Sequence, residues 1–216
     1  MRSHAQICAA LLDPGVIAVV RASRTDQVLP LARALLSGGI VAVEVTLTTP
    51  QAIEAIHLAS LELGSEALIG VGTVLDETTA RAAIEAGAEF VVSPILRPAL
   101  VGVAHSLEKP VMLGACTPTE AQLAFEAGSD FVKLFPADGL GPEFIKAIRA
   151  PLPHLRIVPT GGVDLETIGE FFRAGCVAVG AGSSLISKRI LETDDWPELT
   201  RVARRFVDAA RRAKAV

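Results

Sequence analysis

The chain has 216 residues, half of them apolar and a fifth charged, with a formal net charge of −4. That is long enough for one domain with a full hydrophobic core and too apolar for a disordered chain. The acidic balance argues against a nucleic-acid binder, which normally presents a basic excess on some face.

Residues 3–12 predict a short helix covering one end of the fold, cut at Asp13-Pro14-Gly15. Two textures then alternate. Short Val/Ile-rich apolar runs are each followed by a longer stretch with helical spacing. The runs are Val16–Ala22, Ala42–Leu47, Ala67–Val74, Phe90–Pro94, Pro110–Ala115, Phe131–Pro136, Arg156–Thr160 and Ala178–Gly182, with starts 20 to 26 residues apart. That interval fits one strand, one helix and two tight loops. The runs are apolar at successive positions, as strands covered on both faces should be.

Between them, Thr25-Asp26 precedes a helical stretch ending at Gly38-Gly39, and Thr49-Pro50 predicts a helix with proline at its first position. Thr117-Pro118-Thr119-Glu120 has the spacing of a capping box, and Asp76 reads as a helix cap. Glu-Ala-Gly or Arg-Ala-Gly closes three helices, at Gly87, Gly128 and Gly175, where a left-handed cap favours glycine. From Arg201 to Lys214 the basic residues form the wet side of a terminal helix, with Val202, Phe206, Val207 and Ala210 opposite.

Eight alternations without a long insertion leave a closed barrel or an open doubly wound sheet. Even spacing, and no G-x-G-x-x-G after the first strand, favour the barrel. The predicted fold is α/β, a single (β/α)₈ TIM barrel over residues 1–216 with a short N-terminal helix. No apolar run reaches the about 20 residues of a bilayer span, and no signal peptide is evident, so the chain reads as cytoplasmic. The three cysteines, Cys8, Cys116 and Cys176, are far apart, which argues against a disulfide framework or a cysteine zinc site.

Barrel chemistry sits at the C-terminal ends of the strands. In chain order those ends offer Arg21, Glu44 with Thr46 and Thr48, Thr73, Ser93-Pro94, Cys116-Thr117, Lys133, Thr160 and Ser183. Lys133 is the lone charge of Phe131-Val-Lys-Leu-Phe-Pro136, in a strand read as buried on both faces. Desolvation favours a lysine's neutral amine, the form that attacks a ketone. The plainer reading is a lysine that snorkels to water or pairs with Glu44. Glu44, equally alone in its strand, either moves protons at a substrate carbon or simply neutralises the lysine.

Thr160-Gly161-Gly162 and Gly180-Ala-Gly182-Ser183-Ser184 end the last two strands, where backbone N–H groups of such barrels bind phosphate. Metal catalysis finds no support: His4, His57, His105 and His154 all read as remote from the strand ends, with no H-x-H or H-E-x-x-H spacing. Carboxylates near those ends are sparse: Glu44, Asp138 and Asp164. With no histidine nearby, Cys116 reads as a small barrel residue and not a nucleophile.

These residues resemble the class I pyruvate-dependent aldolases that cleave 2-keto-3-deoxy-6-phosphogluconate (KDPG) and 4-hydroxy-2-oxoglutarate (KHG). The resemblance runs from Val16 to Ser184. It rests on Glu44-Val-Thr-Leu, Gly70-Val-Gly-Thr73-Val-Leu, Ser93-Pro94, Phe131-Val-Lys133-Leu-Phe-Pro136-Ala, Pro159-Thr-Gly-Gly162 and Gly182-Ser183. It implies that Lys133 forms a Schiff base with the substrate ketone and Glu44 is the general acid–base. By the same token Thr73 holds the pyruvyl carboxylate, Pro94 and Phe135 form pocket walls, and Gly161, Gly162 and Ser183 cradle a phosphate.

Family members carry a carboxylate-binding arginine where this chain has Thr48, and many have glycine where it has Ile95. A threonine gives a neutral hydrogen bond in place of a bidentate clamp, and Arg21 is the candidate replacement cation. The resemblance implies a small-molecule substrate (a phosphorylated 2-keto acid), no metal or organic cofactor, and a homotrimer. The galactonate-type epimer of the substrate, a phosphosugar isomerase or epimerase using Glu44 as base, and a silent phosphate-binding protein are the alternatives.

Overall fold

The computed structural model describes residues 2–215. Eight parallel strands alternate with helices in a nearly closed barrel. β1 is Val16–Val20, β2 Ala42–Thr46, β3 Leu68–Gly72, β4 Val91–Val92, β5 Val111–Ala115, β6 Phe131–Leu134, β7 Ile157–Pro159 and β8 Val179–Ala181. From β1 to β7 each strand pairs with the next in the chain, and β1 also pairs with β8. A bridge between Thr160 and Gly180 draws β7 toward β8. Every residue of the eight strands is buried, as the continuous apolar runs require. The helices are α1 His4–Leu12, α2 Val28–Ser37, α3 Ala52–Leu63, α4 Glu77–Glu85, α5 Ala99–Ser106, α6 Pro118–Glu126, α7 Gly141–Arg149, α8 Ile168–Arg173, α9 Lys188–Thr193 and α10 Trp196–Lys214. No helix among the described residues is long and apolar enough to cross a membrane.

Two apolar clusters follow from the two-residue side-chain period of a strand. One set, including Val43, Val45, Ile69, Val71, Leu113, Val132 and Leu134, faces outward against the helices. The other, including Ile17, Ala42, Leu68, Phe90, Met112, Phe131 and Val158, fills the lower interior. Ile7, Cys8 and Leu11 of α1 join that inner cluster, so α1 stoppers the N-terminal end of the barrel. Ser3 caps α1 in a reciprocal capping box with Gln6, a device absent from the sequence reading.

The local signals held at several points. Thr117 and Glu120 form the capping box of α6, Asp76 caps α4, and Gly87, Gly128 and Gly175 all have φ between +92° and +115° just beyond their helices. α10 starts five residues earlier than the basic stretch and packs on α8 and α2, burying Leu199, Ala203, Phe206, Val207 and Ala210, while Val202 is half-buried. Gly38 lets it approach, since a Cβ there would meet Ala203 and the Thr200 carbonyl.

One predicted helix start is corrected. Thr49-Pro50 does not open α3: Thr49 is buried and its hydroxyl accepts the Ala22 N–H at 3.2 Å. Gln51 then takes a left-handed conformation, and α3 begins at Ala52. Thr25-Asp26 does precede α2, in a single 3₁₀ turn, and the Thr25 hydroxyl donates to the Pro50 carbonyl at 2.8 Å. The loops after β1 and β2 thus spend on each other the hydroxyls that would have capped their helices. Gln27 takes over in the first loop. It is buried, accepts the Ser23 and Arg24 N–H groups, and donates to Leu191 O at 2.7 Å and Asp194 Oδ1 at 2.6 Å. This fixes the segment that carries Arg21 onto the α9 region.

Candidate active site

The inward parity that sets Ala42 and Phe131 in the lower core continues upward. Two residues further along each strand it puts Glu44 and Lys133 inside the barrel, one layer above the apolar plug. Lys133 Nζ lies 3.4 Å from Glu44 Oε1, and the side chains are 4% and 3% exposed. The pair is a buried ammonium–carboxylate contact in an otherwise apolar interior. Such a pair seldom repays its desolvation through stability alone.

Small residues make the room it needs. A Cβ on Gly72 would run into the Glu44 carboxylate, and one on Gly70 would strike the Phe90 ring. On β5, Gly114 lets the loop after β4 close in: a Cβ there would collide with the backbone of Pro94 and Ile95. The Gly114 N–H donates to the Ile95 carbonyl at 3.1 Å. One more step up β6 sets Phe135 over the amine, with Lys133 Nζ 5.4 Å from its ring centroid.

Above this pair the strand ends converge. A cleft of about 150 Å³ is lined by Arg21, Phe135, Thr160, Gly161, Gly162, Gly182 and Ser183, seven of the sequence-derived candidates. Val19, Asp164, Gly180 and Ser184 complete much of its wall and were not singled out as site residues. Gly161 and Gly162 have φ of +97° and +68°, and a Cβ on Gly162 would meet Asp138 Cα at 2.7 Å, so only glycine fits that loop. Asp164 Oδ1 accepts the N–H groups of Glu166 and Thr167, and Ser184 donates to the Val163 carbonyl, which fixes the loop after β7. The Thr167 N–H, first among several donors, holds the Asp164 carboxyl below the usual carboxylate range. Asp164 was legible in the sequence as a carboxylate near the strand ends, and its position three residues before Thr167 is an Asx-turn spacing.

Thr48, Thr73 and Pro94 follow the ends of β2, β3 and β4, on the mouth but outside that cleft. Thr48 is exposed, and its hydroxyl lies 2.7 Å from that of Thr46, which in turn donates to the Val20 carbonyl at 3.0 Å. Thr73 has φ +65°, an uncommon conformation for a β-branched residue. Ile95 is 46% exposed at the rim. Cys116 is corrected: it lies just past β5 and is exposed, because its N–H is drawn out to Glu120 Oε2 at 2.9 Å as part of the α6 cap. A larger cavity of about 740 Å³, lined by Arg2, His57, Ser60 and Glu89 among others, contains none of the candidates.

A buried amine with a carboxylate in contact with it, beside an open glycine-lined cleft, is an arrangement suited to imine chemistry on a ketone. Comparison with known proteins agrees. A family model described as KDPG and KHG aldolase matches residues 7–202. The chain is 36% identical over 194 residues to 2-dehydro-3-deoxy-phosphogluconate aldolase of Pseudomonas aeruginosa, covering 89% of this chain and 88% of that one. It is 35% identical over 171 residues to 2-dehydro-3-deoxy-6-phosphogalactonate aldolase of Escherichia coli K12, covering 79% and 83%. Its fold superposes with a TM-score of 0.85, at 31% identity and 92% and 97% coverage, on KDPG aldolase from Legionella pneumophila with pyruvate captured as a covalent carbinolamine. The chain belongs to the KDPG and KHG aldolase family, carbon–carbon lyases that work through a Schiff-base pyruvate intermediate.

Proposed function

We propose that this protein cleaves KDPG to pyruvate and glyceraldehyde 3-phosphate, and KHG to pyruvate and glyoxylate, with Lys133 as the nucleophile. The observation that carries the reading is the buried Lys133–Glu44 contact at 3.4 Å, directly beneath Phe135 and the glycine-lined cleft. Transfer of the Lys133 proton to Glu44 frees the amine, which adds to C2 of the keto acid. Glu44 returns that proton to the C2 hydroxyl, water leaves, and a protonated imine remains.

The Glu44 carboxylate then takes the C4 hydroxyl proton. The C3–C4 electron pair moves into the imine as the bond breaks, giving the aldehyde and an enamine. Protonation of the enamine at C3 by Glu44 and hydrolysis of the imine release pyruvate and restore the pair. Glu44 is within direct reach of Lys133, as a general acid–base must be.

At the far end, backbone N–H groups of the Gly161-Gly162 and Gly182-Ser183 loops receive the phosphate, and Arg21 on the same wall adds a positive charge. Thr73 and Thr48 give the carboxylate neutral hydrogen bonds, and Pro94 and Phe135 bound the carbon chain. A second reading, the galactonate-type epimer at C4, draws support from the comparable identity to the phosphogalactonate enzyme.

The test is intact mass after incubation with pyruvate and sodium borohydride, run beside Lys133→Met. One reduced pyruvyl adduct per native chain and none on the variant is the expected result. A native chain without an adduct would overturn the imine and move the isomerase reading forward. Turnover of the two C4 epimers, compared as kcat/KM, then assigns the substrate.

A further inference from the structure

At the N-terminal end of the barrel, away from the chemistry above, two histidines converge on one carboxylate. His4 Nε2 lies 2.9 Å from Asp130 Oδ1, and His105 Nε2 lies 2.9 Å from Asp130 Oδ2. The two rings are edge-on with centroids 5.4 Å apart, and the three candidate ligand atoms all lie within 4.8 Å of one another. These residues are distant in sequence. His4 is in the first turn of α1, His105 in the last turn of α5, and Asp130 immediately precedes β6. Cysteine spacing gave no hint of them, because the set contains no cysteine.

We propose that His4, His105 and Asp130 bind a single divalent transition-metal cation of the zinc class, clamping α1 to the bottom of the barrel. Two imidazoles and one carboxylate form a borderline nitrogen–oxygen set that favours such ions over magnesium or calcium. Tetrahedral zinc, with bonds of about 2.0–2.1 Å, holds its ligand atoms about 3.3 Å apart. The imidazoles now meet different oxygens of the carboxylate, each at 2.9 Å, and the three ligand atoms lie within 4.8 Å of one another, so side-chain rotations bring them to the ion.

The surroundings supply the outer partners that metal ligands need. The Val111 N–H donates to Asp130 Oδ2 at 2.9 Å and fixes the carboxylate, whose side chain is only 11% exposed. His4 Nδ1 lies 3.9 Å from Cys8 Sγ. Bonded to the ion through Nε2, each ring carries its proton on Nδ1, and in His4 that nitrogen faces Cys8 Sγ. Solvent reaches both imidazoles, 37% and 39% exposed, and fills the fourth position.

The experiment uses chelator-treated, untagged full-length protein titrated with Zn²⁺ in a calorimeter, with Mg²⁺ as control and melting followed in parallel. One Zn²⁺ per chain is expected, with a rise in Tm of about 5 °C at saturation. Both effects should vanish in His4→Ala and in His105→Ala and persist in Cys116→Ala, which removes the exposed thiol. No binding by the native chain would overturn the proposal and leave a carboxylate hydrogen-bonded between two imidazoles. Binding unchanged in both histidine variants, or lost with Cys116→Ala, would equally overturn it.

Discussion

Arg21 is exposed at the end of β1, yet its wall of the mouth is shared with Gly161, Gly162 and Ser183 and not with Thr48 or Thr73. On the proposed function, a cation there serves the phosphate end of the substrate, and Thr48 offers the carboxylate a neutral donor. Arg21→Ala should therefore raise KM for phosphorylated KDPG by about tenfold or more, the worth of a charge-assisted hydrogen bond. KM for unphosphorylated KHG should change little. Steady-state kinetics on both substrates decides it: an equal rise for the two would mean that Arg21 serves the carboxylate they share.

A strand of this barrel is a vertical programme read two residues at a time. β6 runs Phe131, Lys133 and Phe135 from plug to amine to mouth, and β2 runs Ala42, Glu44 and Thr46. β3 contributes absence: Gly70 and Gly72 leave the volume that Phe90 and Glu44 occupy. Gly72→Ala puts a methyl group where the carboxylate lies, and a displaced acid–base group is costly, because a shift of about 1 Å can lower turnover about a hundredfold. The expected result is a kcat reduced by up to about that factor, with the pyruvate–borohydride adduct still formed. A variant with native kcat would show that Glu44 tolerates the shift or does not move protons. The α1 stopper illustrates the same economy at the other end, since its apolar face completes the lower core that carries the pair.

For the molecule as a whole, alkaline stability is legible in one buried thiol. Burial, little offset by the nearby Arg149 charge, pushes Cys176 up from 9.0 to about 12. Between those values the unfolded chain gives up the thiol proton and the folded chain keeps it. The folded state then binds more protons, so stability falls as pH rises through 9.0. Urea unfolding of the native chain and of Cys176→Ala should show a shallower decline for the variant from pH 9 to about 11. Identical slopes would mean that the thiol ionises while buried.

By itself the amino-acid sequence determined the architecture, because two signals that need no partner carry it: unbroken apolar runs at even spacing and glycine closing several of the helices between them. It also determined the Lys133–Glu44 pair, since a lone charge in a strand buried on both faces has only the interior or an ion pair to turn to. The tertiary structure alone decided what depends on which neighbour takes a given hydrogen bond. Thr25 and Thr49 have the composition of helix caps, but the adjoining loops claim their hydroxyls. Gln27, Asp164 and Ser184 are ordinary polar residues until the fold hands them backbone partners. His4, His105 and Asp130 meet because α1 folds under the barrel, and no local spacing encodes a contact between residues so far apart.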